Sequence, residues 1–169
     1  SPMIGFCPGA EFGPAKRWPH YHYAELAKQL IDEGYQVVLF GSAKDHEAGN
    51  EILAALNTEQ QAWCRNLAGE TQLDQAVILI AACKAIVTND SGLMHVAAAL
   101  NRPLVALYGP SSPDFTPPLS HKARVIRLIT GYHKVRKGDA AEGYHQSLID
   151  ITPQRVLEEL NALLLQEEA

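Results

Sequence analysis

Within the stretch Thr88-Asn89-Asp90-Ser91-Gly92-Leu93-Met94-His95 stand an acid, a hydroxyl, a glycine and an imidazole. The stretch begins where the β-branched run Ala85-Ile86-Val87-Thr88 stops, and it leads into the Ala-rich helical run Val96-Ala97-Ala98-Ala99-Leu100. A strand–turn–helix junction of this kind points a helix N-terminus, with its free N–H groups and partial positive charge, into the crevice at the carboxyl edge of a sheet. Anions bind at such places. Asp90, Ser91 and Gly92 would occupy the turn, and His95 the first helical turn. A plain helix start fits the same residues, with Asp90 or Ser91 as cap and His95 packed. The segment alone does not choose between the two.

Other candidates follow the other strand-like runs. The first loop, from Pro8 to Pro19, carries two adjacent cations, Lys16 and Arg17, either of which could neutralise a diphosphate. Only Gly9 and Gly13 fit any glycine spacing there, so it is not a G-x-G-x-x-G fingerprint. No Gly-Lys-Ser/Thr occurs, so it is not a phosphate-cradling loop of the ATP-hydrolysing kind. The second run ends in Gly41-Ser42-Ala43-Lys44-Asp45-His46-Glu47. Asp45 or Glu47 could accept from both hydroxyls of a ribose, or could simply favour a helix N-terminus. Leu67-Ala68-Gly69-Glu70-Thr71 offers small residues beside which a flat base would fit, or a tight turn capped by Thr71. Gly109-Pro110-Ser111-Ser112-Pro113-Asp114 reads as a rigid loop forming a crevice wall.

The elements that must position these residues alternate. Strands are expected at Met3–Cys7, Gln36–Phe40, Trp63–Leu67, Ala85–Thr88, Leu104–Tyr108 and Ala123–Leu128. Helices are expected at Tyr21–Glu33, Asp45–Leu56, Leu73–Cys83 and Leu93–Leu100, with a last one opened by Thr152-Pro153 and running to about Leu165. Gly34 is placed to stop the first helix. Leu73–Cys83 is apolar nearly all round, which predicts burial. Strand–helix repetition implies a doubly wound parallel sheet with helices on both faces, its turns gathered at one edge.

Composition agrees with one α/β domain over residues 1–169: 47% hydrophobic, 20% charged, formal net charge −5. That balance argues against a nucleic-acid partner, since the basic cluster His133-Lys134-Val135-Arg136-Lys137 is short and loop-like. No apolar run is long enough to span a bilayer and no secretory leader opens the chain. Cys7, Cys64 and Cys83 are odd in number and sit in or beside apolar runs, which reads as buried reduced thiols in a cytoplasmic protein. No CxxC or HExxH spacing suggests a metal. The abrupt start at Ser1-Pro2 fits either a self-contained domain or a piece of a longer chain.

Taken in order, several of these blocks carry a resemblance: Lys16-Arg17-Trp18-Pro19, then Gly34-Tyr35-Gln36-Val37-Val38-Leu39-Phe40-Gly41, then Thr88 to Ala99, then Pro103-Leu104-Val105-Ala106-Leu107-Tyr108-Gly109-Pro110-Ser111. Together they resemble the C-terminal half of the bacterial ADP-heptose:lipopolysaccharide heptosyltransferases, glycosyltransferase family 9. The resemblance covers nearly the whole chain, and Asp90-Ser91-Gly92-Leu93-Met94-His95 is its most specific part. It implies a Rossmann-like doubly wound sheet forming the donor half of a GT-B enzyme, with an N-terminal acceptor domain absent. It implies that Lys16 contacts the donor diphosphate, and that Asp90, Ser91, Gly92, Leu93 and His95 surround the diphosphate and heptose. It puts the ribose acid in the Asp45–Glu47 segment and adenine beside Glu70 and Thr71.

The reaction so implied is inverting transfer of heptose from ADP-L-glycero-D-manno-heptose to the lipopolysaccharide inner core. Lys16, Asp90 and His95 would serve catalysis, the base would lie in the absent domain, and no metal or other cofactor would be needed. Work on a lipopolysaccharide acceptor would put the protein in the cytoplasm, with peripheral contact at the inner face of the membrane. Competing readings are the donor domain of another GT-B enzyme, such as a nucleotide-sugar epimerase, and a non-catalytic nucleotide-binding module.

Overall fold

The computed structural model describes residues 1–10, 13–111, 113, 117–131 and 137–168. Its strands are β1 (Met3–Cys7), β2 (Gln36–Leu39), β3 (Cys64–Asn66), β4 (Ala85–Asn89), β5 (Leu104–Tyr108) and β6 (Ala123–Arg127). They pair in parallel in the order β3-β2-β1-β4-β5-β6. β1 therefore has β2 on one side and β4 on the other. The chain winds outward from β1 to β3, crosses back, and winds outward again from β4. The gap between the loops after β1 and β4 is the topological switch point, where open α/β sheets hold ligands.

The helices are α1 (His20–Asp32), α2 (His46–Ala54), α3 (Thr58–Gln61), α4 (Leu73–Ala82), α5 (Gly92–Ala99), α6 (Gln146–Ile149) and α7 (Pro153–Glu168). α1, α2 and α7 bury Tyr23, Leu26, Leu30, Ile52, Val156 and Leu160 against one sheet face, with Ile4, Phe6 and Val105. α4 and α5 cover the other, where Ile80, Met94 and Ala97 meet Phe40, Ile86 and Ala106. Both faces are covered, so the inner strands β1, β2, β4 and β5 are largely apolar, while the edge strands β3 and β6 carry Arg65, Asn66, Arg124 and Arg127. Gly34 ends α1 at φ +94°, with its N–H donated to Ile31 and that of Tyr35 to Leu30. Only glycine adopts that backbone without strain.

Several sequence expectations need correction. The helix expected over Asp45–Leu56 is divided: Ala43–Asp45 is a 3₁₀ turn, and α2 ends at Ala54. α3 was not anticipated, although its box is written in the chain: Asn57 Oδ1 accepts from Gln60 N, and Gln60 Oε1 from Asn57 N. α6 was also not anticipated, and α7 runs past Leu165 to Glu168. α4 is not well buried. Only Ala76 and Ile80 are enclosed, while Leu73 and Ile78 are 67% and 68% exposed. One α-helix can turn only a stripe to the sheet, and α4 carries apolar residues outside that stripe. Ser112, Asp114 and residues 133–136 of the basic cluster lie outside the described residues.

Candidate functional site

The site grows from the ends of β1 and β4. β4 closes on Asn89, which is fully buried. Its carbonyl oxygen accepts from the Trp18 backbone N–H at 2.9 Å and from the Tyr23 hydroxyl at 2.9 Å. Its amide donates to Pro8 O at 2.7 Å and Gly9 O at 3.2 Å. One side chain thus ties the β1 loop to the far end of the same loop and to α1. Trp18, 1% exposed, anchors that end further through Nε1 to Ile151 O at 2.8 Å. Just before it Lys16 ends a 3₁₀ turn spanning Pro14–Lys16, and Arg17 follows in extended backbone.

Past Asn89 the chain turns through Asp90 and Ser91 into α5. Ser91 is extended at φ −147° and makes no capping hydrogen bond. Its hydroxyl lies 3.3 Å from Thr88 Oγ1 instead. The Ser91 form of the capping explanation is therefore not what this helix uses. A Cβ on Gly92 would meet nothing within 4 Å, so the space over the first turn of α5 is open.

A cavity of about 500 Å³ occupies the switch point. Gly9 and Ala10 of the β1 loop, Ser42, Lys44 and Asp45 of the β2 loop, and Ser91 and Gly92 of α5 face it. Leu73, Leu93 and Val96 add apolar lining, and Thr71 a hydroxyl. Of the residues singled out in the sequence, the fold brings Asp45, Thr71, Ser91, Gly92 and Leu93 to this cavity. Lys16, Glu47, Glu70, Asp90 and His95 are not among its described walls. Glu47, Glu70 and His95 are exposed, and Lys16 and Asp90 are half-buried. Lys44, Leu73 and Val96 were missed. Nothing in their types separates them from ordinary surface or helix residues, and only the fold places them at the cavity, where Lys44 and Leu73 stay exposed.

Asp45 is 7% exposed, and its carboxylate is largely committed to the fold. Oδ2 accepts from Ser42 N at 2.9 Å and from Ser42 Oγ at 3.1 Å. Oδ1 faces the Arg17 guanidinium, 3.9 Å from Nη2. The three cysteines are buried and free. Burial pushes the thiols of Cys7, Cys64 and Cys83 each up to about 12. Cys7, though it lines the cavity, is thus a protonated wall rather than a nucleophile at neutral pH. Among the described residues no group of His, Cys, Asp and Glu is arranged to hold a metal, and no helix is long and apolar enough to cross a membrane.

A doubly wound parallel sheet with its cavity at the switch point defines a Rossmann-like ligand-binding domain. More specifically, the chain belongs to glycosyltransferase family 9 (heptosyltransferase), whose model matches residues 1–145. It is 93% identical over 166 residues to lipopolysaccharide heptosyltransferase 2 of Salmonella typhimurium, covering 98% of this chain and 48% of the relative. The solved E. coli ADP-heptose LPS heptosyltransferase II superimposes with a TM-score of 0.92 at 94% identity, covering 99% of this chain and 48% of that one. The solved glycosyl transferase family 9 protein of Veillonella parvula follows at TM-score 0.83 and 33% identity, covering 98% and 46%. The chain spans about half the length of the curated relatives it matches.

Proposed function

We propose that this chain is the donor-binding half of an inverting GT-B heptosyltransferase that adds heptose to the lipopolysaccharide inner core, with ADP-L-glycero-D-manno-heptose as donor. The observation that carries the reading is the switch-point cavity. Its lining combines apolar residues, Leu73, Leu93 and Val96, that suit a purine with the N-terminal turn of α5 at Ser91 and Gly92. The near-identical E. coli protein carries ADP-heptose in its name, which fits a donor of that kind.

In this reading an acceptor hydroxyl attacks the anomeric carbon of the heptose and ADP leaves. Negative charge grows on the β-phosphate as the sugar–phosphate bond stretches. The α5 N-terminus favours that charge through its dipole and N–H groups, and Lys16 supplies a cation from the neighbouring loop. Asp90 and His95 act at the sugar–phosphate junction. The acceptor and the base belong to a second half, as the relatives' greater length allows. Charge stabilisation by Lys16 and α5 needs no metal, so a chelator should leave turnover unchanged.

Calorimetry of the chain with ADP-heptose, ADP and UDP tests the reading. ADP and ADP-heptose are expected to bind and UDP to bind more weakly. Absence of ADP binding would overturn it, and a preference for UDP would favour another GT-B donor domain.

A further inference from the structure

Two buried polar atoms have no hydrogen-bond partner among the described residues, Arg17 Nε and Asp45 Oδ1. They belong to one ion pair, closed at 3.9 Å between Arg17 Nη2 and Asp45 Oδ1, with the two side chains 22% and 10% exposed. The carboxylate lies directly against the backbone of two ligand-facing loops. A Cβ on Gly9 would come within 2.3 Å of Oδ1, and one on Gly41 within 2.8 Å of Oδ2. A fixed negative charge therefore sits in the wall of the cavity proposed to receive a diphosphate. Buried and unneutralised, it would repel that ligand and strain the loops packed on it.

Arg17 answers this charge and is not among the described residues lining the switch-point cavity. Its described cavity contact is with a neighbouring space of about 320 Å³, shared with Glu51, Glu142 and Tyr144, and not with the switch-point cavity. We propose that Arg17 is a positioning residue for donor binding. It neutralises Asp45 from behind, and so lets a diphosphate approach the β1 loop and locks that loop to the one after β2. Asp45 in turn is a structural partner of Arg17 rather than the acid that holds the ribose. This inference rests on the ADP reading given above.

The test is calorimetry of the chain with ADP and with adenosine, in the parent and in three variants. Arg17→Ala exposes the ligand to an unpaired carboxylate and should weaken ADP by about tenfold to a hundredfold, as expected for losing the partner of a buried charge. Adenosine, which carries no phosphate, should change far less. Arg17→Ala combined with Asp45→Asn removes both charges and should recover most of the ADP affinity. Arg17→Lys keeps the charge and should retain most of it. Equal loss of ADP and adenosine, or no recovery in the double variant, overturns the proposal; the latter would mean that Arg17 touches phosphate itself. If Arg17→Ala does not fold, the double variant and the lysine variant decide, since both are expected to bind ADP. A parent chain that fails to bind ADP would sink the donor reading and this inference with it. A parent that binds normally beside an unaffected Arg17→Ala sinks this inference alone.

Discussion

Asn89 and Trp18 are 71 positions apart, yet the Asn89 side-chain oxygen accepts the Trp18 backbone N–H at 2.9 Å. The same amide group donates to Pro8 and Gly9, so the end of β4 dictates where the β1 loop begins and where it ends. The two loops that meet at the switch point are in this way one unit, and the cation pair Lys16-Arg17 is carried on it.

Replacing Asn89 should therefore unfold more than a turn. Asn89→Ala leaves the Trp18 N–H, the Tyr23 hydroxyl and two carbonyls without their buried partner, and a loss of about 3 kcal/mol in unfolding free energy is expected. Asn89→Asp should be no milder, because a carboxylate cannot donate to the Pro8 and Gly9 carbonyls. Urea denaturation measures both. A loss within the range of a surface substitution would show that the network is dispensable.

Lys16→Ala should weaken ADP more than adenosine, by about 1.5–3 kcal/mol, if it removes the charge-assisted contact to phosphate proposed above. Titration calorimetry with the two ligands reads the difference. Equal weakening would remove Lys16 from the diphosphate.

Much of this was legible in the chain. The parallel sheet and nearly every strand followed from apolar runs closed by turn residues, and Asp90-Ser91-Gly92 was found at the end of β4 as its sequence implied. The side-chain bonds of Asn89 were not legible, since an Asn beside an Asp reads as turn chemistry until β1 is known to lie next to β4. Asp45 was ambiguous for a related reason. Spacing can place an acid after β2, but whether its carboxylate faces a ribose or Ser42 and Arg17 depends on the loop packed behind it. The exposed face of α4 escaped because a helix apolar on every side gives no sign of which stripe meets the sheet.

Gly92 separates a glycine needed by the fold from one needed by a ligand. A Cβ there meets nothing within 4 Å outside its own helix turn, so Gly92→Val should fold with little change in stability, valine being no worse a helix former than glycine. The added carbons would stand in the cavity, and ADP binding should fall by roughly tenfold or more if a phosphate needs that close approach to the backbone. Melting temperature and ADP titration on one sample test this together. Undiminished ADP affinity would move the phosphates elsewhere.

Stability should depend on pH through His22. Its Nε2 lies 2.8 Å from Ile149 O and its ring packs on Trp18. Burial holds its pKa below the ordinary histidine value. The folded state thus binds this proton less readily than the unfolded one. The associated stability is complete above the unfolded value of about 6.5 and declines as pH falls from there through the lower folded value. His22→Gln should flatten that part of the profile of unfolding free energy against pH. An unchanged slope would show that another group causes it.

The chain alone should not transfer heptose. Every role proposed above is a donor role, and the described lining of the cavity comes from this one domain. Without a second domain the cleft faces water, developing charge is screened, and the acceptor hydroxyl is not held in line with the anomeric carbon. Donor binding should survive, because its contacts are local. Acceptor-dependent ADP release should be absent from the 169-residue chain and should appear when the remaining half found in its relatives is supplied, in cis or in trans. In that reconstituted enzyme Asp90→Ala should lower turnover well beyond any change in stability. Acceptor-dependent transfer by the purified chain would overturn the division of labour, and would place the base on this domain, with His20 and His22 the first residues to test.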